Sequence, residues 1–186
     1  MCVKRSSKTE FIVSSNAFHA LLSGLLSDIE VEGNRLQAAY DRERSALVSG
    51  DDVDKLVACA ALGSIVSKIY TKAEDVFSKI AKKIDLDLPS GEGWHIDLLR
   101  QMKTATGDRP AVLSTESFEQ FDQLRRFRHF ERNSYASDLS PHLIPEKVEL
   151  ALAAIPNLQR DFAAFSSEFF DVTLVPKHSS DVPRTH

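Results

Sequence analysis

Glycine and proline are scarce in this 186-residue chain, at seven each. A sandwich or barrel of short strands needs a turn about every ten residues, and those turns draw on both residue types. A few long helices fit the composition better. Cysteine is scarcer still. Cys2 and Cys59 cannot build a disulfide framework, and their separation matches no zinc spacing. Such usage fits a reducing compartment. No unbroken apolar run approaches bilayer length. The apolar stretch after Lys4, Arg5 and Lys8 is interrupted by Ser14, Ser15, Asn16 and His19, and so reads as an amphipathic helix rather than a signal peptide. A cytoplasmic protein with no membrane contact is expected.

Positive charge is also in short supply. Lys and Arg total 23 against 27 Asp and Glu, a formal net charge of -4. Any binding of nucleic acid must then come from a local basic patch. The common catalytic signatures are missing. There is no Gly-rich phosphate loop ahead of Lys-Ser or Lys-Thr, no GxSxG elbow and no HExxH. The six histidines, at 19, 95, 129, 142, 178 and 186, include no pair three or four residues apart. A metal site on one helix is therefore not expected, and neither is a cofactor.

What the chain does have is helical periodicity. Phe18, Leu21, Leu22, Leu25 and Ile29 form one stripe within a segment running from Phe11 to Val48, with a break expected near Glu30–Gly33. Ser49-Gly50-Asp51-Asp52 is a turn with a capping aspartate. Beyond it, Leu56, Cys59, Gly63, Val66, Tyr70, Ala73, Phe77, Ile80 and Ile84 step by threes and fours. This seam has a period of about 3.5 residues and marks a long helix, roughly 50 Å, paired with the first. A short helix is expected from Trp94 to Met102, a fourth from Ser114 or Thr115 to Tyr135, and a last one along Val148–Phe169 with a kink at Pro156. Residues 1–10 read as a polar arm, 11–174 as one domain and 175–186 as a polar tail. The expected architecture is an all-α antiparallel bundle, two long helices leading and shorter ones following.

One helix stands apart in chemistry. Residues 121–135 carry Arg125, Arg126, Arg128, Arg132 and His129 among Phe121, Leu124, Phe127, Phe130 and Tyr135. At about 100° per residue, Arg125, Arg128 and Arg132 lie within about 60° of one another and on the side of Phe121. A buried guanidinium without a partner is costly. Either these arginines pair with carboxylates of neighbouring helices, Glu74 or Asp75 being candidates, or they line a cleft for phosphate or a second chain. Arg126 falls off the stripe. Trp94 and His95, and Arg109 before Pro110, are accounted for by capping, packing and loop anchoring.

From about Val66 to Phe170 the chain resembles the HepT-like branch of the HEPN superfamily. The matching stretches are IYTKAEDVFSKIA, DLPSGEGWHIDLLRQM, RPAVLS and FRHFERNSYASDL. The resemblance implies a helical bundle that forms homodimers and acts as a metal-independent endoribonuclease toxin beside a nucleotidyltransferase antitoxin. Its motif runs arginine, a polar residue, three more residues, histidine, one residue and tyrosine. Arg128 takes the arginine position, Tyr135 the tyrosine position and Asn133 the histidine position. Asparagine cannot shuttle a proton, so the usual acid/base is missing. His129 is then the candidate base, with Arg128, Arg132 and Arg125 holding RNA phosphate and Tyr135 the candidate acceptor of AMP. The alternative is a non-catalytic HEPN module that binds RNA or the nucleotidyltransferase through the same groove.

Overall fold

A computed structural model describes the backbone of residues 6–133 and 139–171, and side chains within 15–133 and 139–170. The helices are α1 (Ser6–Ser49), α2 (Asp52–Ile80), α3 (Trp94–Lys103), α4 (Thr115–Asn133) and α5 (Leu143–Ser166). Two of them, α2 and α5, run on into wider π turns at Ala81–Asp85 and Ser167–Asp171. Among the described residues all regular structure is helical, as the turn-poor composition implies. Helix α1 starts at Ser6, so half of the stretch read as an arm is helical backbone.

The turn at Gly50 sets α1 and α2 antiparallel. Asp51 caps α2, its carboxylate accepting from the amides of Val53 and Asp54, both at 2.9 Å. Seven of the nine seam residues, Cys59, Gly63, Val66, Tyr70, Ala73, Phe77 and Ile80, are buried, while Leu56 at the start is exposed and Ile84 at the end is half-buried. A second stripe that the seam omits is also buried: Ala58, Leu62, Ile69 and Val76. The reason is topological. Helix α2 packs on α1, α4, α5 and α3, and so it is covered on more than one side. This also explains its hydropathy. A window within Asp52–Asp85 averages 1.3, long and apolar enough for a membrane span by composition, contrary to expectation, yet half of it is buried inside the bundle.

No break occurs near Glu30–Gly33, because tertiary contacts override the weak local propensity. A Cβ on Gly33 would lie 2.5 Å from Cδ1 of Ile155, so the bare glycine lets α5 press against α1. Next to it, buried Glu32 binds Lys68 of α2 at 2.9 Å, with Arg35 at 2.9 Å and Lys72 at 3.8 Å. Burial pushes the Glu32 carboxyl up. The hydrogen bond and charge of Lys68, with the charges of Arg35 and Lys72, outweigh that and hold it below the ordinary carboxylate range. A carboxyl lowered on folding stabilises the protein above its unfolded value and loses that contribution as pH falls through the folded one. Glu32→Gln should cost about 1 kcal/mol at neutral pH. As pH falls through the lowered range of this carboxyl, the variant's thermal melts should converge on those of the parent protein.

The loop from Leu86 to Gly93 turns the chain between α2 and α3. Gly91 and Gly93 have φ of 84° and 82°, the left-handed region that a side chain disfavours. Gly93 is the residue immediately before α3, so this conformation fixes how Trp94 and His95 enter the bundle. Alanine at both positions should cost about 2 kcal/mol in urea unfolding. Helix α5 begins at Leu143, which places Pro145 in its first turn, and it continues through Pro156 on the exposed side.

Candidate functional site

Helix α4 buries Phe121, Leu124 and Phe127. Phe127 shifts the centre of the apolar face away from the arginines, which therefore line its edge instead of its middle. Phe121 meets Phe77 of α2 edge-to-face at 5.6 Å between centroids. About two helical turns beyond, Arg128 lies against α2, where its Nε donates to Thr71 Oγ1 at 2.9 Å. Its guanidinium carbon stands 5.8 Å from the centre of the Tyr70 ring. The two contacts set α4 antiparallel to α2. Among the described residues the terminal nitrogens of Arg128 make no hydrogen bond.

The other cations behave differently. Arg125 and Arg126 both bind Asp122 of their own helix, at 2.8 and 2.5 Å. Arg132 and His129 are exposed. Of the two alternatives, the pairing with Glu74 or Asp75 is not found: Asp75 binds Lys79, and Glu74 turns to other partners. Asn133, in the motif histidine's place, folds back on its helix. Its amide donates to the His129 carbonyl at 2.7 Å and lies 3.4 Å from the same residue's Nδ1. Tyr135 lies outside the described residues.

Glu74 is the hub of a chain that sequence reading did not assemble. Tyr70 Oη donates to Glu74 Oε1 at 2.9 Å, and His95 Nδ1 hydrogen-bonds the same oxygen. Trp94 stacks on His95 with 3.9 Å between ring centres. Burial, then the charge and hydrogen bond of Glu74, push the Tyr70 phenol above its ordinary value, against an opposing pull from Arg125 and Arg128. Tyr70 is thereby kept protonated as a donor to Glu74. Its four-residue spacing from Glu74 on one helix was visible in the sequence. The part played by His95 was not, because the loop before α3 brings it in.

Arg109 anchors the second loop. Its side chain is fully buried, and all five N–H groups are used. Nε and Nη2 bind the two oxygens of Asp85 at 2.6 and 2.8 Å, while Nη1 and Nη2 also reach the carbonyls of Thr104, Pro110 and Gln101. The π turn at the end of α2 delivers Asp85 to it.

A family profile described as HepT-like protein matches residues 61–169, well over half of the chain. That span runs from α2 to α5 and contains every contact just described. The chain belongs to the HepT-like family. The HepT-like match thus covers Tyr70, Glu74, His95 and Arg128, and leaves the whole of α1 outside it. No curated protein and no solved structure gives a significant match to this HepT-like chain.

Proposed function

We propose that this HepT-like protein is a toxin-type, metal-independent endoribonuclease whose phosphate clamp centres on Arg128. One observation carries the reading. Arg128 is half-buried and fixed by Thr71 and the Tyr70 face, and among the described residues its two terminal nitrogens have no hydrogen-bond partner. A planar fork so oriented suits a phosphodiester, bidentate and charge-assisted. Arg132, exposed one turn on, and Arg125 extend the positive edge along the RNA backbone. His129 is the proton-transfer group that α4 offers. Attack of a ribose 2′-oxygen on phosphorus leaves a 2′,3′-cyclic phosphate, and the arginines stabilise charge as it develops. Family precedent adds a homodimer, a nucleotidyltransferase antitoxin and Tyr135 as the AMP acceptor.

The second reading is an RNA- or antitoxin-binding module without catalysis. Asn133 favours it, since the motif histidine is replaced by an amide bonded to its own helix. Incubation with structured RNA in excess EDTA separates the two. The enzyme reading expects cleavage that Arg128→Ala and His129→Ala each depress. Cleavage untouched by both substitutions overturns it. Retention of RNA that weakens with salt, without cleavage, selects the binding module.

A further inference from the structure

We propose that His95, oriented by Glu74, is a second proton-transfer residue of this site and takes the 2′-hydroxyl proton from RNA held on Arg128. The proposal rests on the ribonuclease reading and supplies the group that Asn133 cannot.

The first support is the hydrogen-bonding of the ring. A carboxylate only accepts, so the nitrogen facing Glu74, Nδ1, carries the proton, and the lone pair of the neutral imidazole lies on Nε2. The Glu74 side chain is 9 % exposed and that of His95 32 %, so the carboxylate is enclosed while part of the ring meets solvent. Tyr70 holds the same carboxylate oxygen from the other side. Trp94 covers one ring face. A buried carboxylate that fixes the tautomer and angle of a half-exposed imidazole is the arrangement a general base requires.

Placement is the second support. Lys103, at the end of α3, sits 4.8 Å over the ring of Phe118 near the start of α4. The guanidinium of Arg128 stands 5.8 Å from the centre of the Tyr70 ring, and the hydroxyl of that ring shares Glu74 Oε1 with His95 Nδ1. Two side chains thus connect the imidazole to the arginine. Arg125 and Arg128 both act electrostatically on Tyr70, whose hydroxyl is bonded to Glu74. Helices α2, α3 and α4 thus bring a phosphate-binding fork and an oriented imidazole to one end of their shared seam.

In the reaction, the 2′-oxygen bonds to phosphorus as the P–O5′ bond breaks. The 2′-proton passes to Nε2 of His95, and the departing 5′-oxygen takes a proton from the imidazolium of His129. Both transfers balance without a co-reactant.

The test uses the full-length protein, a single-stranded RNA oligonucleotide and a copy with bridging sulfur in place of the scissile 5′-oxygen. His95→Ala and His95→Gln should each lower kcat about 10²–10⁴-fold. KM should stay within about threefold. Glutamine keeps a donor for Glu74, so a helix anchor alone would be rescued by it, and this variant decides if the alanine variant unfolds. Sulfur departs without a proton, so the defect should persist on the sulfur substrate. Wild-type cleavage by His95→Gln, or recovery on sulfur, overturns the assignment and leaves the ribonuclease reading intact. If the unaltered protein cleaves neither substrate, or Arg128→Ala cleaves like it, both ideas fall.

Discussion

Arg109→Ala should lower the free energy of unfolding by about 3–5 kcal/mol. Three features put this among the largest single-site effects in the protein. The guanidinium is fully buried and uses all five donors. Removing it strands Asp85, whose side chain is only 7 % exposed, as a charge without its partner. It also frees the carbonyls of Gln101, Thr104 and Pro110, which hold the loop after α3. Gln101 still donates to Asp85 at 2.7 Å, but one neutral amide does not offset a lost ion pair. Lysine should recover little, since a point charge cannot make a bidentate fork with three carbonyls besides. Urea denaturation followed by circular dichroism measures the loss. An effect under about 1 kcal/mol would place Arg109 among exposed ion pairs, contrary to its burial.

Arg128→Ala should lower activity sharply while leaving the fold intact. Losing one preorganised donor to developing phosphate charge costs about 10²–10³-fold in kcat. Stability should hardly change, because Arg128 lies at the edge of the apolar face and, among the described residues, binds a hydroxyl and an aromatic surface. That contrast separates it from Arg109. Lysine at 128 keeps the charge but cannot bind Thr71 through Nε while offering two parallel donors outward, so rescue should be small. Cleavage of a labelled RNA, read beside a thermal melt, checks both halves. An alanine variant that melts early, or cleaves normally, would remove Arg128 from the role of clamp.

How much of this was legible beforehand depends on the range of the interaction. The seam from Cys59 to Ile80 reads directly as a buried helix face, because spacing along one helix is a local property. The buried stripe of Ala58, Leu62, Ile69 and Val76 was missed because nothing local says how many neighbours a helix has. The basic character of α4 was plain, but its arginines were read on the apolar face itself, whereas buried Phe127 leaves them at its edge. Their partners were not legible. Asp122 competes for Arg125 and Arg126 from within the helix, whereas Glu74 is claimed by Tyr70 and His95. An expected break near Gly33 failed for the same reason, as Lys68 and Ile155 reach it from other helices.

The sequence by itself determined the all-α class, the antiparallel pairing of α1 with α2, the start of α4 and the HepT-like motif around Arg128. These follow from periodicity, turn chemistry and residue order, which act over a few residues. Only the tertiary structure decided which carboxylate meets which cation, that the loop anchor Arg109 is fully buried on Asp85, and that His95 stands on Glu74 beside the arginine edge. Those pairings join residues 21 to 57 positions apart. Their partners compete for the same few buried positions, and only the packed bundle selects among them.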